Sequence, residues 1–220
     1  MKYRFTNRTG GVSTGAFASL NLALHVSDDA TMVLENRARS ALPESPIQYM
    51  SQVHGSRVGV IETVSGEEPI CDALVTGIRG ISLAVQVADC IPLLLYSEES
   101  VAAVHVGRQG LMKNVALNAL NIMRDMGSTE ITAIIGPSIC GSCYEVSQEI
   151  YEEVIAIHPS AKSKTSKGTL SLDLLAALRE VLQSQRVAIL DESRCTVENS
   201  DLYSYRRDGV TGRQAGIISL

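Results

Sequence analysis

Residues 81–107 read ISLAVQVADCIPLLLYSEESVAAVHVG, three apolar runs (Ile81–Val87, Ile91–Leu95, Val101–Val106) separated by short polar turns. Each run is apolar at consecutive positions instead of alternating, so both faces of the strand must be covered. Outward from this block, Glu130–Ile135 and Gly216–Ser219 read as further strands. Helical patterns lie between and around them. Asp28-Asp29 caps a helix from about Ala30, with Leu34, Ala38, Ala41 and Leu42 on its apolar face and a stop at Pro43. After Gly110, the stripe Leu111, Val115, Ala119, Ile122, Met126 predicts one helix ending at Gly127. Two more are predicted over about Gln148–Ala156 and from near Asp173, the latter with Leu174, Leu178, Val181 and Leu182 inward. Buried strands interleaved with helices make an α/β or α+β domain whose sheets are covered by helices.

The composition fits that class. With 220 residues, 45% apolar and 20% charged, the chain has enough aliphatic surface to offset its ordering entropy. Seven Tyr, two Phe and no Trp leave an aliphatic core. No repeat or linker interrupts the chain, so residues 1–220 are expected to form a single domain. No run approaches the ~20 apolar residues of a membrane span. The first eight residues lack the apolar stretch of a signal peptide, so the expected location is cytoplasmic. A net charge of −5 argues against a nucleic-acid partner. Five cysteines without an export signal read as reduced thiols or metal ligands.

Three reactive side chains sit where apolar segments end: His54 in Gln52-Val53-His54-Gly55, Cys90 after Ala88-Asp89, and His105 at the end of the third run. Two His and one Cys are a zinc donor set with a fourth position open. Their separations of 36 and 15 residues carry no local ligand spacing; taken alone, each His is more often a hydrogen-bonded core or surface residue and the Cys more often a small buried hydrophobe. Cys140-Gly141-Ser142-Cys143 reads as a turn with incidental thiols, after Gly136-Pro137. His25 and His158 read as ordinary surface positions. Arg8 before Gly10-Gly11, and Arg206-Arg207, are cationic turns open to an anion or to a structural ion pair. No Walker or dinucleotide fingerprint is present.

Taken in order, Arg8-Thr9-Gly10-Gly11-Val12-Ser13, Ser19-Leu20-Asn21-Leu22, Glu35-Asn36-Arg37, Gln52-Val53-His54-Gly55, Asp72-Ala73-Leu74-Val75-Thr76, Ala88-Asp89-Cys90, His105-Val106-Gly107, Tyr144-Glu145-Val146 and Ser204-Tyr205-Arg206-Arg207-Asp208-Gly209 resemble the YfiH-type family. That family was long labelled polyphenol oxidase or laccase-domain and is now understood as purine nucleoside phosphorylases with additional adenosine deaminase activity. The resemblance implies a four-layer α/β/β/α sandwich and a zinc held by His54, Cys90 and His105. It also implies purine nucleosides and inorganic phosphate as small-molecule partners; it leaves oligomeric state open. Where the family continues His-Ala-Gly-Trp-Arg-Gly, this chain has His105-Val106-Gly107-Arg108-Gln109-Gly110, which displaces a guanidinium by one residue.

Four histidines are too few for a blue-copper centre plus an imidazole-built multi-copper cluster, so a laccase of the usual kind is excluded; incidental copper in a His/Cys site is not. The expected activity is zinc-dependent phosphorolysis of purine nucleosides, with deamination of adenosine beside it. Asp89, next to Cys90, is the nearest carboxylate for proton transfer or else a turn acid. Arg8 and Asn21 are carried over as substrate contacts. Two other classes compete: a non-catalytic protein with a structural zinc, and a metal-free thiol enzyme with Cys90 as nucleophile and His54 or His105 as base.

Overall fold

The computed structural model describes residues 1–42 and 45–220. With strands numbered in chain order, the larger sheet runs β11 (Ala188–Asp191), β8 (Thr132–Ile135), β6 (Ile91–Tyr96), β7 (Val101–Val106), β4 (Ala73–Thr76), β3 (Val58–Val60). The smaller runs β1 (Lys2–Phe5), β12 (Gln214–Ser219), β5 (Ser82–Val87), β2 (Ile47–Gln48). A separate hairpin pairs β9 (Lys162–Lys164) with β10 (Leu170–Leu172).

The two sheets face each other. Leu83, Val85 and Val87 of β5 and Ile218 of β12 pack against Leu74, Leu94, Val101, Ala103 and Ile134 of the larger sheet. The alternate residues of that sheet, among them Val75, Leu93, Leu95, Ala102 and Val104, turn the other way. They are covered by α2 (Arg108–Met112), α3 (Val115–Asp125), α4 (Gln148–Ile157) and α5 (Leu174–Ser184). Beyond the small sheet, Ala84, Ala215 and Ile217 pack on Leu20, Leu22, Leu42 and Tyr49, next to α1 (Ala30–Ser40). The result is the expected α/β/β/α sandwich, and full covering explains why the decisive strands are apolar on both faces.

Three helical expectations need correction. In α1, Leu34 is 57% exposed and Ala38 is also exposed; Val33, Asn36 and Ser40 face inward. This helix docks through hydrogen bonds, not an apolar stripe: Asn36 Nδ2 donates to the Asn21 carbonyl at 2.9 Å and Arg37 Nε to the Leu22 carbonyl at 2.8 Å. It ends at Ser40, and the expected stop at Pro43 lies outside the described residues. The single helix after Gly110 is two, because Asn114 adopts a left-handed φ of 60° that breaks the helical path. Strands β1, β3, β4, β9, β10 and β11 were not anticipated; β1 and β11 are short, largely exposed sheet edges. Among the described residues, no helix is long and apolar enough to cross a membrane.

Candidate metal centre and its cavity

The centre is assembled around one buried carboxylate. Asp72, fully buried at the start of β4, accepts the backbone N–H groups of Val53, His54 and Gly55 at 3.3, 2.9 and 2.6 Å. It also accepts His105 Nδ1–H at 2.8 Å, which leaves Nε2 of that ring free to bind a metal. His105 follows Val101 and Ala103 on β7, both of which face the small sheet. The two-residue strand period therefore aims the imidazole into the space between the sheets.

The His54 loop is tied to the small sheet by a side chain. Upstream of it, only Ile47–Gln48 pairs as a regular strand. Further on, the Gln52 amide takes over the ladder: its Oε1 accepts Gln86 N–H, and its Nε2 donates to the Gln86 carbonyl, both at 2.8 Å. His54 then takes a φ of 57°, held by Asp72. Cys90 comes from the β5–β6 turn, where Asp89 has a φ of 99°. The donor atoms of His54, Cys90 and His105 all lie within 4.8 Å of one another, with Cys90 Sγ 3.9 Å from His54 Nε2. The imidazole rings meet edge-on at 4.7 Å. This trio, with an outer carboxylate orienting one imidazole, fits a divalent metal of borderline softness.

Electrostatics favour a ligating thiolate. Burial would raise the Cys90 thiol, but the facing imidazoles, His105 first, bring it down to about 6. Burial would lower His105; the Cys90 thiolate and the Asp72 carboxylate outweigh it and lift the ring to about 9. Space at the centre is tight. A Cβ on Gly107 would stand 2.9 Å from Cys90 Sγ and 3.3 Å from His54 Cδ2. Gly107→Ala is therefore expected to weaken metal retention about tenfold or more, the scale of ~1–3 kcal/mol for overpacking. Chelator competition measures this, and an unchanged affinity would show that the donors can give way.

The trio opens into a cavity of about 390 Å³, within the range of small-molecule sites. Tyr144, Tyr205, Arg206 and Arg213 line it together with the trio, as do His25, Gln86 and Ile139. Arg213 Nη1 donates to the Thr211 and Gly212 carbonyls. Arg206 stacks over the Tyr144 ring at 5.2 Å. Gln86 Oε1 is buried without a hydrogen-bond partner among the described residues.

Asp89 also lines the cavity, but donors hold both its oxygens: Thr196 Oγ1 at 2.5 Å and Arg206 N–H at 2.6 Å. These bonds tie the turn that carries Cys90 to Thr196 and to the backbone of Arg206. Arg8 and Asn21 do not line the cavity. Arg8 stacks on Tyr203 at 4.9 Å and donates to the Ala18 carbonyl; Asn21 is fully buried and accepts the N–H of Arg213 at 2.9 Å. Neither Arg108 nor Gln109 lines the cavity either, since Arg108 pairs with Glu153 at 3.2 Å. His25, expected as an ordinary surface residue, is on the wall, and His158 is buried at the end of α4.

The family model described as multi-copper polyphenol oxidoreductase laccase matches residues 2–220. The chain belongs to this family. Its YfiH-type character is carried by two solved structures. A Neisseria meningitidis protein, NMB0706, is 34% identical, with a TM-score of 0.91 over 100% of this chain and 93% of that one. Bacillus licheniformis YfiH is 28% identical, with a TM-score of 0.85 over 98% of this chain and 91% of that one. The chain is also similar to a purine nucleoside phosphorylase of Corynebacterium glutamicum, 41% identical over 228 residues, 98% of this chain and 93% of the relative. The family description speaks of copper oxidases, but two of the four histidines here are in the trio, one is on the cavity wall and one is buried in α4. That supply does not build a multi-copper cluster.

Sequence reasoning missed Asp72, Arg213, Tyr144 and Gln86 as site residues. Asp72 had a local signal, a carboxylate immediately before the apolar run Ala73-Leu74-Val75. For Gln86 on β5, and for Tyr144 and Arg213 in loops, no local pattern records which distant segments they meet at the cavity.

Proposed function

We propose that this protein is a zinc-dependent purine nucleoside phosphorylase that also deaminates adenosine. The observation that supports it best is the convergence of the His54–Cys90–His105 trio, two guanidinium groups and two tyrosines on one cavity. Curated relatives named purine nucleoside phosphorylases, 41% identical over nearly the whole chain, support the same reading. In phosphorolysis a phosphate oxygen bonds to the anomeric carbon of ribose while the bond to the purine nitrogen breaks. Base and sugar 1-phosphate leave. Arg213 and Arg206 are assigned the phosphate, whose charge they balance while it attacks an oxocarbenium-like centre. Tyr144 and Tyr205 offer faces for the purine, and Gln86 Oε1 offers a buried acceptor for a substrate donor. His54, Cys90 and His105 would hold the zinc, which supplies a Lewis acid able to activate water near neutral pH.

The test uses metal-analysed protein with adenosine or inosine, with and without phosphate. Inosine is expected to stay intact without phosphate, while adenosine slowly becomes inosine. Adding phosphate should release free base and ribose 1-phosphate from both. Intact nucleosides under every condition, with zinc bound, would leave a structural metal protein. One observation favours a second reading, a thiol enzyme: Cys90 Sγ lies 3.9 Å from His54 Nε2, and the facing imidazoles, His105 first, bring the thiol down to about 6. Activity that survives complete removal of metal would select it, since a metal-bound thiolate is not free to attack.

A further inference from the structure

The Cys140-Gly141-Ser142-Cys143 turn, read from sequence as a loop with incidental thiols, does not stand alone. A third thiol, Cys195, and the carboxylate of Glu198 come to it from beyond β11, and the four donor atoms all lie within 4.8 Å of one another. Glu198 Oε1 is 3.9 Å from Cys140 Sγ and 3.6 Å from Cys143 Sγ. Around a tetrahedral zinc with bonds of ~2.3 Å to sulfur and ~2.0 Å to oxygen, S···O edges come to about 3.5 Å. The observed 3.6 and 3.9 Å come close to that edge.

The backbone holds this shell from both sides. Cys143 and Tyr144 donate their N–H groups to the Cys140 carbonyl, each at 3.1 Å, which closes the turn. A Cβ on Gly141 would meet Asp173 Cβ and Ser163 Oγ at 2.8 Å, so the turn is pressed onto the start of α5 and onto β9. An isolated bridge joins Ser138 to Cys195, through Ser138 N–H to the Arg194 carbonyl and Thr196 N–H to the Ser138 carbonyl. Asn199 then donates both its N–H and its side-chain amide to the Cys195 carbonyl. All three sulfurs are half-buried, and among the described residues no cation pairs with Glu198.

We propose that Cys140, Cys143, Cys195 and Glu198 form a second, closed metal site that takes a zinc ion with four protein ligands and no open position. Its role is structural. It clamps the segment after β8 to the segment after β11, and both carry the wall of the cavity. Ile139 and Tyr144 line the cavity from the first; from the second, Thr196 donates to Asp89, and its carbonyl accepts from Arg207. Three thiolates and one carboxylate supply the donors that a structural zinc takes, and metal binding releases the thiol protons.

Metal counting together with cobalt substitution tests this. Wild-type protein purified without chelator is expected to carry two zinc ions per chain, Cys90→Ala one, and Cys143→Ser one. The Cys90→Ala protein reloaded with cobalt(II) is expected to show strong tetrahedral visible bands and an intense thiolate-to-cobalt charge-transfer band. In Cys90→Ala/Cys195→Ser that band should weaken or vanish. If the serine variants do not fold, the cobalt spectrum of Cys90→Ala, whose second cluster is intact, still decides. A metal-free Cys90→Ala protein, or a cobalt spectrum without thiolate charge transfer, overturns the site. Peptide mapping of the untreated protein that finds a disulfide among Cys140, Cys143 and Cys195 overturns it equally.

Discussion

Cys90→Ala is expected to lose one bound metal ion per chain and, with it, adenosine deamination, while the far-ultraviolet circular dichroism stays that of the wild type. Cys90 sits in the turn between β5 and β6 and is only half-buried, so its removal takes away a ligand without opening a core cavity. His54 and His105 remain, but two imidazoles cannot hold the ion as three ligands do. A bound metal contributes several kcal/mol of charge stabilisation, so the loss of rate should be on the order of 10³-fold or more. Elemental analysis beside a deamination assay reads both consequences. Undiminished metal in the variant would remove Cys90 from the site, and full deamination without that metal would remove the metal from the chemistry.

The second large effect is expected at a residue that touches no substrate. Asp72→Asn keeps shape but places an amide N–H₂ among the N–H groups of Val53, His54 and Gly55 and against His105 Nδ1. Breaking a buried charge interaction of this kind costs about 3–5 kcal/mol of stability. Loss of an outer carboxylate on a metal-binding histidine weakens metal affinity about 10–100-fold. Burial raises the Asp72 carboxyl, but the His105 hydrogen bond and the backbone N–H groups outweigh it and hold it below the ordinary carboxylate value. Its stabilisation is thus fully present above about pH 4 and lost as pH falls through the depressed value. The asparagine variant should lack that acid-side decline. Urea unfolding across pH 3–7 measures the difference; parallel curves for the two proteins would mean that Asp72 contributes no ionised partner to the fold.

Both predictions show where the sequence was readable. Strands β5, β6 and β7 were legible because full covering demands long, nearly continuous apolar runs. The edge strands were not, because Lys2-Tyr3-Arg4-Phe5 and Ala188-Ile189-Leu190-Asp191 are short and largely exposed and need satisfy only one neighbour. The α1 face was misread because hydrophobic periodicity cannot register a helix anchored by a buried Asn36.

The same division holds at the candidate site. Local chemistry was enough to single out His54, Cys90 and His105, each at the end of an apolar segment, and four histidines are too few ligands for a laccase of the usual kind. Which groups surround that trio was decided only by tertiary structure. Asp72 reaches His105 through the β4–β7 pairing, Gln52 reaches Gln86 across a loop, and Arg213 enters the cavity just before β12 pairs with β5. Cys195 meets Cys140, which lies 55 residues earlier in the chain, next to the bridge between Ser138 and Cys195. The physical reason is that apolar burial leaves a local run or stripe of hydrophobic residues in the sequence. A polar partner is specified by geometry between distant segments, and no local pattern records it.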